Sequence, residues 1–259
     1  MELKRYQRSY QGRFNIAAMP NFEYKQFSER HRPHFHPPGA ILFVTYRLAG
    51  SVPKSTVRAY KAKKEWLENE VKRARRVALG EGAPELNKWL ERVEKFNRDW
   101  FLKFERILHQ ANVGPTWMRD ERVAREVTES LCKLDGDAYR LDAYSVMSNH
   151  VHSVFKPVLC EEDLRETRDE DGHPVFTSKH PSLSRIMKLV KGRSARKCNL
   201  ILSRGGTFWE QESFDHVIRP GKFDATIRYV LNNPVKAGLV KHWREWPWNY
   251  CRKELADKL

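Results

Sequence analysis

The sequence predicts an α+β fold built on one antiparallel sheet, and three features point to it. Short runs rich in β-branched and aromatic residues, bounded by turn residues, lie at 40–50, 139–147 and 150–158. Stretches with the 3.6-residue apolar period of amphipathic helices separate and follow them. Two of the runs are joined by no more than Ser148-Asn149, a connection that suits only antiparallel neighbours.

Along the chain, residues 1–38 read as a basic arm ending in "RHRPHFHPPG", where the prolines argue against regular structure. "AILFVTYRLAG", between Gly39 and Gly50, reads as a buried strand. From Pro53 to about Gln110 the period changes to that of helices. Val57, Tyr60, Leu67, Val71 and Ala74 form one stripe. After a break at "GEGAP", Leu86, Trp89, Leu90, Val93, Phe96, Trp100, Phe104 and Ile107 form another. Two long helices therefore make a hairpin inserted at about 54–110. It is either an arm that grips DNA or a partner, or a solvated hairpin packed on the core. Asp120 caps a short helix carrying Val123, Val127 and Leu131. The strands "YRLDAYSVM" and "HVHSVFKPV" follow as a hairpin, then an acidic loop at 161–181. "SLSRIMKLVKGRSARKCNLIL" is a basic helix with Leu183, Ile186, Met187 and Val190 inward. A strand, "TFWEQESFDHVIR", and a helix, "KFDATIRYVLNN", ended by Pro234, complete the pattern. The expected organisation is one domain over 39–250, with the arm before it and a tail at 251–259.

Composition narrows the function. With 40% apolar and 12% aromatic residues among 259, the chain belongs to the globular class. No run approaches the ~18 consecutive apolar residues of a spanning helix, and the N-terminus lacks the apolar block of a secretory signal. Cys132, Cys160, Cys198 and Cys251 lie far apart without a C-x-x-C pair, as expected of reduced thiols in the cytoplasm. Lys and Arg total 48 against 33 acids, a net charge of +15 that attracts polyanions, nucleic acid above all.

The chemistry-bearing stretch is "MSNHVHSVFK". In a strand, residues two apart share a face at roughly 6–7 Å. His150 and His152 therefore project side by side while Val151 points to the core. They are either a metal-binding pair or two half-buried imidazoles. "RPHFHPP" repeats the spacing at His34 and His36, but its prolines keep that pair out of a ladder. On the helix at 222–233, Phe223, Ile227, Val230 and Leu231 form the apolar stripe, and Tyr229 falls roughly 145° from its centre. Asn233, Thr226 and Lys222 share its side. Tyr229 is either a surface residue or, placed opposite the histidines, a nucleophile on phosphate. A phenol is a poor nucleophile at neutral pH, and a divalent ion polarising the phosphate lowers that barrier. Mg²⁺ or Mn²⁺ on His150, His152 and the amide oxygen of Asn233 suits the task. A phosphotyrosine keeps the energy of the broken phosphodiester, which points to strand transfer rather than simple hydrolysis.

"YSVMSNHVHSVFKP" resembles the HUH motif of the single-tyrosine transposases, most closely their REP-associated tyrosine transposase branch. "PHFHPPGAILFVTYRLAGSVP", "SLSRIMKLVKGRSARKCN", "FWEQESFDHVIR" and "IRYVLNNPVKAGLV" resemble further blocks of that family in the same order. Ser148 stands where relatives usually show proline, a change in turn stiffness rather than in chemistry. The resemblance implies a ferredoxin-like antiparallel sheet sandwich and a metal held by His150 and His152. It also implies Tyr229 as the nucleophile forming a 5′-phosphotyrosine, and Asn233 as a third ligand. The implied substrates are single-stranded DNA hairpins of repeated palindromes, cleaved and rejoined by a monomer or homodimer. Arg185, Lys188, Lys191, Arg193, Arg196, Lys197 and Lys222 are candidate DNA contacts, though a solvated basic face explains them too. Trp243, Trp246 and Trp248 either stack on bases or pack on the sheet. The alternative function is a binder of palindromic DNA that does not cut.

Overall fold

The computed structural model describes residues 39–77, 83–158, 164–168, 174–178 and 182–258. The basic arm, including His34 and His36, lies outside them. The chain divides into two compact units. One comprises Met1–Pro38 and Leu159–His180; the other, Gly39–Val158 and Pro181–Leu259, holds the sheet and the helices.

In the larger unit the order is β1 (Leu42–Arg47), α1 (Lys54–Val77), α2 (Ala83–Gln110) and a 3₁₀ turn at Trp117–Arg119. Next come α3 (Glu121–Cys132), β2 (Tyr139–Val146) and β3 (His150–Pro157). The smaller unit intervenes with β4 (Leu164–Arg168) and β5 (Pro174–Ser178). The larger unit resumes with α4 (Leu183–Ile201), β6 (Phe214–Val217), α5 (Phe223–Leu231) and α6 (Asn233–Lys236). A 3₁₀ turn at Trp243–Glu245, β7 (Asn249–Cys251) and α7 (Lys253–Ala256) end it.

The sheet runs β6-β1-β3-β2-β7 with every pair antiparallel. With α3 crossing from β1 to β2 and α4 from β3 to β6, the first four strands in that order make the split βαββαβ of a ferredoxin-like sandwich. The expected fold class is therefore observed, with β7 added at the edge.

Both sheet faces are covered, so β1 is buried along its whole length, Thr45 and Arg47 included. Leu42, Val44 and Tyr46 join Val151 and Phe155 of β3 in the core beneath α3 and α4. Phe43, Val154 and Ala143 line the other face with Ile227, Val230 and Leu231 of α5. On β3 this second face also carries His150 and His152, because side chains alternate. A register shift in β2 between Leu141 and Ala143 leaves Asp142 as an extra residue. The small Ala143 and Ser145 consequently lie opposite Val154 and His152, beside α5.

The caps follow the expected chemistry: Asp120 accepts from the Arg122 amide and Ser182 from that of Arg185. In the α1–α2 hairpin, Tyr60 stacks on Phe96 at 5.5 Å and meets Trp100 and Phe104 edge-on. Phe214 of β6 packs into the same cluster. Gly50 and Gly114, both with positive φ, mark where the insert leaves and re-enters the domain. A Cβ on Gly114 would overlap the Gly50 carbonyl, so glycine is required for this approach.

Three local expectations are corrected. The segment expected as an acidic loop contains the β4–β5 ladder, with Leu164 opposite Ser178 and Arg168 opposite Pro174. Its sequence is too polar for an apolar alternation, and the backbone ladder does not need one. "TFWEQESFDHVIR" is strand only over Phe214–Val217. Phe208 and Trp209 are instead buried, with Trp209 Nε1 donating to Ser194 Oγ of α4 at 2.9 Å. Pro234 does not stop helical structure: it opens α6, where its missing N–H has no partner to lose. The tryptophans near the C-terminus pack on the body: Trp246 Nε1 donates to the Val146 carbonyl at 3.0 Å, and Trp243 packs beside α5.

Candidate metal centre and tyrosine site

The site assembles on the sheet face that α5 shares with the C-terminal end of α2. His150 and His152 are fully buried, and their Nε2 atoms lie 3.1 Å apart. Each Nδ1 is held from behind. His150 Nδ1 lies 2.7 Å from Asn149 Oδ1, and the same amide donates through Nδ2 to the Leu108 carbonyl at 3.0 Å. An amide oxygen only accepts, so His150 carries its proton on Nδ1 and leaves the Nε2 lone pair for a ligand. His152 Nδ1 lies 2.7 Å from Thr45 Oγ1, its cross-strand partner on β1. Phe43 stacks on the His152 ring at 5.6 Å.

The helical insert supplies the remainder. Glu105 Oε2 lies 3.3 Å from His152 Nε2 and accepts a 2.6 Å hydrogen bond from the Tyr229 hydroxyl. His109, one helical turn on, places Nε2 3.7 Å from the same oxygen. Glu105, His109, His150 and His152 offer ligand atoms within 4.8 Å of one another, a set able to hold one metal ion. Sequence reading missed Glu105 and His109. Their signal was an acid and a histidine four apart, "ERILH", at the end of a helix with apolar Phe101, Phe104 and Leu108.

Asn233, expected as a ligand, lies beside His109. Its Oδ1 accepts from His109 Nε2 at 2.8 Å, and its Nδ2 donates to the Tyr229 carbonyl at 2.8 Å. It is fully buried and ties α6 to the insert. Tyr229 is not a surface residue. Its ring lies against the sheet face, meeting Phe43 and His152 at 5.9 Å, with Phe101 of α2 at 6.3 Å.

Burial sets the charge states. It pushes the His150 imidazole well below its ordinary pKa, the neighbouring His152 and His109 acting the same way against Glu105. Burial alone would raise Glu105. The charge and hydrogen bond of His152, with His150 and the Tyr229 hydroxyl, outweigh it and hold the carboxyl well below its usual range. Tyr229 is raised above the ordinary phenol, first by burial and then by the charge and hydrogen bond of Glu105.

The candidate DNA contacts divide in place. α4 covers the sheet face opposite the histidines. Arg185, Lys188 and Arg193 line an open groove on its outer side, and Arg196 is exposed. Lys197 pairs with Glu126 at 2.8 Å, and Lys191 donates to the carbonyls of Glu210 and Gln211. Lys222 is exposed at the start of α5. Among the described residues no helix is long and apolar enough to cross a membrane.

The fold and site thus define a ferredoxin-like sandwich in which a buried carboxylate joins a histidine cluster to a tyrosine hydroxyl. Among solved structures, the chain is similar to a REP-associated tyrosine transposase bound to a REP hairpin. The likeness has 15% identity and a TM-score of 0.41, over 90% of this chain and 88% of that one. No family model and no curated protein matches the chain.

Proposed function

We propose that the protein is a metal-dependent DNA strand transferase that cleaves and rejoins single-stranded DNA beside hairpins through Tyr229. The observation that carries the reading is the 2.6 Å bond from the Tyr229 hydroxyl to a carboxylate that also meets the histidine pair. A surface tyrosine and a structural histidine pair have no reason to share one buried acid, whereas a nucleophile beside a metal centre does.

His150, His152 and Glu105 are the ligands in this reading, with His109 beside them and Asn233 orienting its ring. Two imidazoles and one carboxylate form a mixed nitrogen and oxygen set, which favours Mn²⁺ over the oxygen-seeking Mg²⁺. A bound divalent ion polarises the phosphate and offsets its charge. The chain's own residues do the rest. Glu105 holds the phenol aimed at the cluster, while Phe43 and Phe101 fix the ring and exclude water from that side. The Tyr229 oxygen attacks phosphorus, the bond to the 3′-oxygen breaks, and the phenolic proton ends on the released 3′-hydroxyl. Attack of a new 3′-hydroxyl on the phosphotyrosine reverses every step, so strands are rejoined without an external energy source.

The test uses 5′- and 3′-labelled hairpin oligonucleotides with single-stranded flanks, incubated with Mn²⁺ or Mg²⁺. Wild type should form a covalent adduct on denaturing gels, chelator should abolish it, and Tyr229→Phe should form none. An adduct that persists in Tyr229→Phe removes the nucleophile assignment. Hairpins that bind without any adduct leave a non-cleaving DNA binder instead.

A further inference from the structure

Tyr229 has a second charged neighbour that the reaction above does not use. The short helix α6 turns the chain back over α5, and Lys236 Nζ comes to rest 4.0 Å from the centroid of the Tyr229 ring. Its backbone is fixed by the Lys236 amide donating to the Asn232 carbonyl at 2.9 Å, with Pro234 in the first turn. Lys236 is exposed while the ring beneath it is half-buried. The tyrosine is therefore flanked by Glu105 on the histidine side and by an ammonium group on the solvent side.

Nothing in the fold requires a cation there. Among the described residues Lys236 makes no ion pair and no side-chain hydrogen bond; Glu105 acts on it only at longer range, its oxygen being bonded to Tyr229. A phosphodiester approaching Tyr229 meets a carboxylate beside the nucleophile, and that repulsion has to be offset. Attack places three negative groups together: the Glu105 carboxylate, the developing phenolate and the phosphate. A divalent ion balances two of them, and Lys236 balances the third.

Building on the strand-transfer reading, we propose that Lys236 is a catalytic residue that binds the scissile phosphate from the solvent side of Tyr229. The incoming phosphate oxygen displaces no ion pair or hydrogen bond of the ammonium group, whose contact is with the face of the Tyr229 ring. The same contact acts in the return step, where the phosphotyrosine is the electrophile and the phenolate is the leaving group. DNA then enters between α6 and the histidine cluster, with its scissile phosphate shared by Lys236 and the metal centre.

Two arms test this. Hairpins with single-stranded flanks are selected from a randomised pool by binding to the Tyr229→Phe protein, so that the probe does not depend on cleavage. Their affinity is then measured against salt for Tyr229→Phe and for Tyr229→Phe/Lys236→Met, where methionine keeps an unbranched stem of similar length. Loss of one phosphate contact should lower the slope of log K against log salt by about 0.7. In the otherwise wild-type protein, Lys236→Met should slow adduct formation by about 100- to 1000-fold. Lys236→Arg should restore the salt slope, and Mn²⁺ affinity and Tm should be unchanged in both variants. An unchanged slope, or an adduct rate equal to wild type, overturns the proposal while leaving Tyr229 as nucleophile. A reduced slope in a protein whose wild type forms no adduct overturns strand transfer and the catalytic role, and leaves Lys236 a phosphate-binding residue. A pool that yields no binder overturns both.

Discussion

The bond between Tyr229 and Glu105 joins α5 to the inserted hairpin, and its strength can be measured without any substrate. The donor–acceptor distance is 2.6 Å and the acceptor is an ionised carboxylate with a side chain only 7% exposed. Hydrogen bonds to charged groups contribute about 1.5–3 kcal/mol net. Tyr229 keeps some contact with solvent, so the lower half of that range, ~1.5–2 kcal/mol, is expected here. The perturbation is a double-mutant cycle of Tyr229→Phe, which removes the donor, and Glu105→Leu, which removes the acceptor at similar side-chain volume. Urea unfolding at pH 7.5 in chelator reads the coupling free of metal. At that pH the phenol is protonated in both states, since its folded pKa is raised above the ordinary 10.0. Each kcal/mol should also appear as a Tm shift of roughly 2–4 °C. A coupling below about 0.5 kcal/mol would refute the claim that the carboxylate positions the tyrosine.

The other predictions are as follows. His150 has a folded pKa well below 6.5, so below that pH the unfolded chain takes up a proton that the folded chain refuses. Its contribution to stability should therefore fall with decreasing pH by up to about 1.4 kcal/mol per unit. Chemical unfolding from pH 7 to 5 in chelator should show a shallower slope for His150→Asn, and equal slopes would contradict the burial argument. His109→Ala should weaken Mn²⁺ binding by about 10- to 100-fold in calorimetry, and unchanged affinity would remove the insert's histidine from the metal centre. Gly114→Ala forces a Cβ onto the Gly50 carbonyl at a positive φ and should cost at least ~2 kcal/mol in urea unfolding. A cost below half that value would mean that the insert's two ends do not close as described.

Residues that act through local periodicity were legible in the sequence. The alternation of β3 placed His150 and His152 on one face and Val151 on the other, because strand geometry alone imposes that order. The same holds for the cap at Asp120, the inward stripe of α4 and the hairpin of long helices. The angular position of Tyr229 on α5, away from the apolar stripe, was also set by local geometry. Its surroundings were not, since a helical wheel records direction but not what lies in that direction.

What only the tertiary structure decided is the other half of the site. Glu105 and His109 lie more than a hundred residues from Tyr229 in the chain, and no local rule links them. They reach it because the approach of Gly114 to Gly50 returns the insert to the sheet beside α5. The amide of Asn233 meets His109 for the same reason, its Oδ1 accepting from His109 Nε2. The sequence by itself determined the sandwich, the shared face of His150 and His152 and the direction of Tyr229 on its helix, all products of short-range periodicity. The carboxylate that connects them was decided by packing, because long-range contacts are chosen by shape and burial across the whole chain.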